Sequence, residues 1–378
     1  MALSGNVELL PKLITYRLAK SGIIRPPKPA TFTFSITTAC QSRCKSCNIG
    51  LEYQKNPASA ANDLTLPEIE KMFKSIGHVY FFNISGGEPF LRRDIVEIVK
   101  LACKYLSPKV IHTPTNALTP ELIEKKTEEI LVWMAGNGFG DVDFTIKPSY
   151  DGVGKDHDIV RGVPGNFEKL IDTYTRLKGL KKKYGNLHVG LGTVISNFNA
   201  DKIKEIVDFG YTLEPDTYIN EVAENREEMF NMKDNITPSA EKYAQAIEYF
   251  SKKTKDDMRA KKGLARLMYA FRLVYYELVV EILRQKTQVI PCYGGISNVH
   301  INAKGEVWPC CVLGYDKPFG NIRDYDYDFS KVWHSLKAAD VRKFIHDKKC
   351  ACPLANQSYS NLLLHIPSLL KVLKNAFL

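Results

Sequence analysis

No stretch of the 378 residues is long and apolar enough to span a membrane, and the N-terminus lacks the uninterrupted apolar core of a signal peptide. Both absences point to the cytoplasm. No concentrated Lys/Arg stripe interleaves with exposed aromatics, so nucleic acid is not an expected partner. A disulfide framework is missing too: the nine cysteines fall in short clusters, the usage of metal binding in a reducing compartment. Hydrophobic residues at 44% and charged residues at 25% are ordinary for a globular chain, long enough here for one large domain and a smaller one. What is in excess is positive charge. With 52 basic against 42 acidic residues the net charge is +10, which favours an anionic partner such as a lipid surface or a phosphate-bearing substrate.

The most informative stretch is Cys40-Gln41-Ser42-Arg43-Cys44-Lys45-Ser46-Cys47. Three thiolates from one short loop reach three irons of an iron–sulfur cube and leave the fourth open to a small molecule. Half of a zinc site, or coincidence, is the alternative reading of the spacing alone. The preceding Thr31–Thr37 reads as a strand, and the loop begins at its end, where an α/β barrel places its chemistry. A second apolar run, Val79-Tyr80-Phe81-Phe82, leads to Ser85-Gly86-Gly87-Glu88-Pro89. Glycines there let backbone approach a ligand closely, and Glu88 can accept hydrogen bonds from an amino group.

Together the two motifs resemble the radical S-adenosylmethionine (SAM) superfamily, over the stretch from Thr31 to Asn220. The resemblance implies a [4Fe–4S] cluster on Cys40, Cys44 and Cys47, with SAM chelated through its amino and carboxylate groups at the open iron. It implies Gly86, Gly87, Glu88 and Pro89 around the SAM amino group. Asn116 belongs to Thr115-Asn116-Ala117, where relatives commonly show Thr-Asn-Gly. Ser149 and Asp151, in Ser149-Tyr150-Asp151-Gly152, match a motif that lies near the SAM ribose and the substrate. Thr193-Val194-Ile195 is placed to offer backbone to the adenine. His157, Arg161 and Gly162 follow in a segment read as a loop, similar to the His-Asp…Arg-Gly run of relatives with auxiliary clusters. The structural alternative is that Asp151 caps a turn and Arg161 pairs with it. Ser46 stands where relatives often carry an aromatic residue, which weakens the packing expected against the adenine.

Alternating patterns predict strands at 110–115, 142–149, 187–195 and 217–220. Helices are predicted at 64–76 (Thr65 as cap), 92–105, 120–134, 167–182 and 200–209. Six β/α units make an open, partial (β/α)6 TIM-like barrel, the fold the resemblance also implies. The expected plan is a helix and linker over 1–30, the barrel over 31–220, a helical connection over 221–290, an iron–sulfur domain over 291–357 and an amphipathic helix over 358–378. The first helix, Asn6–Lys20, is expected to cover the bottom of the barrel, and with about thirty residues ahead of the first strand no added peptide-binding domain is expected there. In the charged run after the sixth strand, Glu224, Asn225 and Arg226 are either substrate contacts or a solvated helix start. Residues 239–285 read as two long helices, the second with an apolar face that is either buried in the core or turned to an apolar substrate.

The remaining cysteines carry a second resemblance. Cys292, Gly305 and Cys310 form C-x12-G-x4-C, with Ile296–Ile301 and Glu306–Trp308 as hairpin arms, and Cys350-Ala351-Cys352-Pro353 follows. This resembles the auxiliary-cluster domains, SPASM or the shorter twitch form, of many radical SAM enzymes; Gly320-Asn321 and Val332-Trp333 match as well. The resemblance implies a second, auxiliary [4Fe–4S] cluster on Cys292, Cys310, Cys350 and Cys352, with zinc as the rival occupant of four thiolates. Cys311 either substitutes for Cys310 or sits free. Cys103, among Ile98, Val99 and Leu101, reads as core.

The expected activity is that of an enzyme cleaving SAM reductively to a 5′-deoxyadenosyl radical that abstracts hydrogen from an unreactive C–H bond. The electron donor would be a flavodoxin or ferredoxin. The substrate is a peptide, or a lipid or isoprenoid-type metabolite; an electron carrier or regulator without turnover is the reading from another class. In the last segment Leu369, Leu370, Val372, Leu373, Ala376 and Phe377 share one helical face, continued by Ile366, opposite Ser368, Lys371, Lys374 and Asn375. Such a face suits peripheral contact with the inner membrane surface, or docking on the protein itself.

Overall fold

The computed structural model describes residues 9–377. Its strands are β1 (Thr31–Ser35), β2 (Phe81–Ser85), β3 (Val110–Thr115), β4 (Asp143–Pro148), β5 (Leu187–Val189), β6 (Leu191–Ile195), β7 (Tyr218–Val222), β8 (Asn298–Ile301), β9 (Glu306–Trp308) and β10 (Gly320–Asn321). The first half of the helices comprises α1 (Leu9–Lys20), α2 (Ile49–Lys55), α3 (Leu66–Ile76), α4 (Ile95–Leu101), α5 (Pro120–Gly136), α6 (Lys155–Arg161) and α7 (Asn166–Lys181). The rest are α8 (Ile203–Thr212), α9 (Ala240–Ala260), α10 (Gly263–Gln285), α11 (Phe329–Trp333), α12 (Leu336–His346), α13 (Ala355–Leu364) and α14 (Ile366–Phe377).

β1 to β5 pair in parallel in chain order, and β6 pairs in parallel with β7. The two sheets meet where Ser149 bridges Gly192, which makes the open barrel. One predicted strand, 187–195, is two: Gly190 interrupts it, its N–H turned to Ile146 O at 3.0 Å. The strands alternate sharply. Phe32, Phe34, Phe82, Ile84, Ile111, Phe144 and Ile146 are fully buried against the helices, with Phe73 of α3 edge-on to Phe32, Phe34 and Phe82 at 5.5–5.9 Å. The other face of the same strands carries Thr33, Ser35, Asn83, Ser85, His112, Lys147 and Ser149. A polar inner wall leaves room for a ligand where an apolar one would close into a packed core.

α3 begins as expected, Glu68 accepting from the Thr65 N–H and hydroxyl at 2.8 Å each. The iron–sulfur segment is less separate than expected. β8 joins the barrel sheet in parallel beside β1, Thr33 facing His300, and β9 and β10 extend it antiparallel. α9 and α10 are the two long helices, and buried Tyr275, Tyr276 and Val279 confirm the apolar face of the second. The tail is two helices rather than one. α13 packs near α1, where Arg17 Nε donates to Leu364 O, and α14 lies on α10. The expected single face of α14 is divided: Val372 and Ala376 are buried, while Ile366, Leu370, Leu373 and Phe377 remain exposed. Cys103 is core.

Candidate active site

The loop after β1 is tied down from three sides. Ser85 O accepts from Ile36 N–H, Thr37 O from Gly87 N–H at 2.9 Å, and Ala39 O from Glu88 N–H at 2.8 Å. A Cβ on Gly86 would lie 2.4 Å from Thr37 O, and one on Gly87 2.2 Å from Ala39 O and 3.0 Å from Cys40 Cβ. The two glycines therefore admit the cysteine loop itself, a nearer reason for them than a ligand. On the far side α6 docks: Arg161 O and Val160 O accept from Arg43 N–H and Lys45 N–H, and Gly162 lies where a Cβ would meet Arg43 O at 1.9 Å. The segment read as a loop is thus a short helix, held by the loop it supports. Asn231 Nδ2 donates to Ser46 O at 2.8 Å from a third direction.

Cys40 and Cys44 are buried and Cys47 partly so. Burial lifts all three thiols, Cys40 to about 11 and Cys47 to about 12, while the Arg161 cation pulls each of them down. Thiols so placed lose their protons to a bound metal rather than to water. Arg161 in turn pairs with Asp151 Oδ2 at 3.1 Å, and Asp151 Oδ1 accepts from Val194 N–H at 2.7 Å. Asp151 thereby links the cation beside the cysteines to β6, the pairing foreseen as its structural role.

Glu88 is 1% exposed. Its Oε1 accepts from Phe90 N–H at 3.1 Å and Thr115 Oγ1 at 2.9 Å, its Oε2 from Asn116 N–H at 2.6 Å. Burial raises it to about 7 against the pull of those donors. Pro89 is buried at the start of a tight turn. Asn116 Nδ2 reaches Gln41 Oε1 at 3.2 Å and Cys40 Sγ at 3.8 Å, so β3, Glu88 and the cysteine loop form one unit. Thr193 turns its hydroxyl to Tyr150 O and Tyr218, leaving only backbone on the cavity side.

Ser149 lines a cavity of 270 Å³ with Gly192, Thr193 and Val194 on one wall and Cys310 and Cys311 on another. A second cavity of 210 Å³, bordered by Gly86, Gly87, Tyr53, Phe230 and Tyr315, opens above it. Glu228 borders both.

Cys292, Cys310, Cys350 and Cys352 lie near one another. Each of Cys310 and Cys352 lies in the field of its partners in the set, and burial raises all four, Cys350 to about 11. Gly294 N–H reaches Cys292 Sγ at 3.4 Å, Gln288 Nε2 reaches Cys350 Sγ at 3.5 Å, and Lys20 adds a positive charge near both. A tetrahedral zinc site needs sulfurs about 3.8 Å apart, from Zn–S bonds of about 2.3 Å. Among the described residues neither cysteine set gathers within 4.8 Å; only Glu228, His300 and Cys311 do. The wider spread suits a polynuclear cluster.

Cys311 is not with its four neighbours. Arg226 Nη1 donates to its sulfur at 3.2 Å, and Arg226 also approaches Glu224 at 3.6 Å and Glu228 at 3.9 Å. The charged run is therefore neither a solvated helix start nor wholly cavity-facing. Arg226 and Glu228 line the cavity, whereas Asn225 turns away to hold Asn231 O and Asp234 O. Sequence reasoning missed Lys147, Glu221, Glu228 and His300 as cavity residues. The signal for Lys147 was present in Thr145, Lys147 and Ser149, a polar alternation opposite Phe144 and Ile146.

Residues 34–210 match the Radical SAM superfamily, and residues 292–353 match an iron–sulfur cluster-binding domain, SPASM. The chain is 24% identical over 82% of its length to the AdoMet-dependent heme synthase of Methanosarcina barkeri, covering 83% of that protein. It is 21% identical over 92% of its length to the antilisterial bacteriocin subtilosin biosynthesis protein AlbA of Bacillus subtilis, covering 70% of it. Streptococcus suis SuiB bound to precursor peptide SuiA superposes with a TM-score of 0.60 at 18% identity, over 91% of this chain and 73% of that one. The enzyme anSMEcpe, with bound AdoMet and Cp18Cys peptide, superposes at 0.57 and 17% identity, over 92% and 97%. The radical SAM match implies a [4Fe–4S] cluster and SAM, and the SPASM match an auxiliary iron–sulfur cluster.

Proposed function

The chain belongs to the radical SAM superfamily and carries a C-terminal SPASM iron–sulfur domain, and on that premise we propose that it modifies a peptide substrate. One observation carries the reading: a single cavity has the Ser149–Val194 wall on one side and Cys310 and Cys311 on the other. A substrate there would lie inside the barrel, against Cys310 of the second cysteine set. Cys40, Cys44 and Cys47 would hold the first cluster, and Cys292, Cys310, Cys350 and Cys352 the second. When bound, the first cluster and SAM supply a 5′-deoxyadenosyl radical that takes a hydrogen atom from the substrate. The chain's own part is orientation and exclusion of water. Glu88 fixes the end of β3 against the cysteine loop, Asp151 fixes Val194, and Arg161 sets positive charge beside the three thiols.

A peptide is favoured by size. The inner cavity is smaller than the roughly 300–1,000 Å³ of small-molecule pockets. It takes a side chain, presented by a chain lying past Tyr53, Phe230 and Tyr315, more readily than a whole tetrapyrrole ring. SuiB and anSMEcpe, both solved with peptides, share the fold. The test is to reduce the reconstituted protein with SAM and a panel of candidate peptides, any short reading frame neighbouring its gene included. Methionine, 5′-deoxyadenosine and a peptide that has lost hydrogen support the reading; the nucleoside with every candidate peptide unchanged in mass overturns it.

The exposed Ile366, Leu370, Leu373 and Phe377 favour one second reading, a lipid-type substrate met at a membrane surface. Deleting 366–378 should then abolish sedimentation with anionic vesicles. The cut spares Asn361, whose Oδ1 accepts the Tyr293 N–H at 2.8 Å beside Cys292. A full-length protein that ignores vesicles at low salt removes this reading.

A further inference from the structure

Lys147 projects from β4 into the inner cavity, one inward position below Ser149. Its stem runs along β5 and β6, where two glycines leave space for it. A Cβ on Gly190 would lie 2.9 Å from Lys147 Cγ, and one on Gly192 3.9 Å from Cδ. The ammonium at the end of that groove has no hydrogen bond or ion pair among the described residues. Glu221, on the same cavity wall, is felt only as a charge beyond ion-pair distance, and Arg272 behind it adds a second positive field. The other cation of the cavity, Arg226, is committed to Glu224, Glu228 and Cys311. His112 and His300 stay uncharged through burial, His300 held at about 3. Lys147 is thus the one uncommitted cation facing the cavity among the described residues. Burial pulls it to about 8, still largely charged at neutral pH.

A shielded ammonium without a partner destabilises a fold, and such a group is retained where a ligand completes it. We propose that Lys147 is the seat for a carboxylate of the substrate, placed inside the barrel in the cavity that Cys310 also lines. The proposal rests on the cavity being the substrate chamber and adds the substrate's chemistry: the modified residue, or its immediate neighbour, is acidic or carries the chain's C-terminal carboxylate. The 270 Å³ available suits an Asp- or Glu-sized group. Phosphate is the other anion of suitable charge.

The probes are glutarate, inorganic phosphate and the neutral glutaramide, titrated calorimetrically into the holoprotein with SAM bound. Wild type should bind glutarate in preference to phosphate and ignore glutaramide. Lys147→Met should weaken glutarate by about tenfold or more, the loss of one charge-assisted contact. Lys147→Arg should restore part of it. The melting temperature of Lys147→Met should be no lower than that of wild type, because an unpartnered ammonium has been removed, and a sharp fall would give Lys147 a structural role instead. Equal glutarate binding by wild type and Lys147→Met overturns the proposal, and phosphate bound more tightly than glutarate overturns the carboxylate assignment. Wild-type protein that releases 5′-deoxyadenosine yet binds no glutarate leaves the enzyme reading standing and removes the anion seat alone.

Discussion

Glu88 Oε2 accepts the backbone N–H of Asn116 at 2.6 Å, and Asn116 reaches through its own amide to Cys40 Sγ at 3.8 Å. A strand end, a Gly-Gly-Glu turn and a cysteine loop, far apart in the chain, are thereby one mechanical unit. Glu88 is its centre, because both its oxygens already serve the chain. Any contact it makes with the SAM ammonium uses the acceptor capacity that remains, since a carboxylate has about four lone-pair sites.

Glu88→Gln sets an amide N–H against one of three buried donors. Leaving such a donor unmatched costs roughly 1–3 kcal/mol. Iron content should stay at the wild-type level while SAM binding weakens by about tenfold, read by calorimetry. Unchanged SAM affinity would take Glu88 out of the site.

Arg161→Met removes the cation beside Cys40, Cys44 and Cys47 and strands Asp151, which is 2% exposed. Breaking a buried pair from one side costs about 3–5 kcal/mol. The first cluster, having lost a nearby positive charge, should become harder to reduce. A redox titration followed by electron paramagnetic resonance should show a more negative midpoint in the variant. An unmoved midpoint would make Arg161 scaffolding only.

His157 is fully buried, its Nδ1 accepting the Asp151 N–H at 3.2 Å, and burial lowers it from 6.5 to about 4. Unfolded, the ring takes a proton below its ordinary value; folded, only near 4. Its contribution to stability is therefore complete above 6.5 and is lost as the pH falls towards 4. Between pH 7.5 and 5.5 wild type should lose ~1.4 kcal/mol more than His157→Gln in urea unfolding. Parallel losses would place the acid sensitivity elsewhere, with His112 and His300 next in line.

Much of this architecture is legible in the chain. Thr33-Phe34-Ser35 and Thr145-Ile146-Lys147 alternate as strands must, so the barrel and its polar interior follow from pattern. Both cysteine sets are marked by spacing. What is hidden depends on distant contacts. α6 has seven residues and buries only His157 and Val160, too little for a helical stripe, and it is ordered against the Arg43–Lys45 backbone. Gly190 splits a strand because Lys147 and Thr217 occupy the space a side chain there would need. The apolar face of α14 reads as one surface, yet α10 covers only the Val372–Ala376 side. The burial of Arg226 is hidden because Cys311, which takes its Nη1 hydrogen bond, reaches it only when β8 and β9 close beside β1.

The central claim is that the chain carries two separate clusters, each on its own cysteine set. Iron and sulfide counting after anaerobic reconstitution tests it most directly. Wild type should hold about eight of each. The triple variant Cys40→Ala/Cys44→Ala/Cys47→Ala should hold about four, and so should the variant with Cys292, Cys310, Cys350 and Cys352 replaced by Ala. Four irons with one stoichiometric zinc in the wild type, the zinc lost only from the second variant, would contradict it.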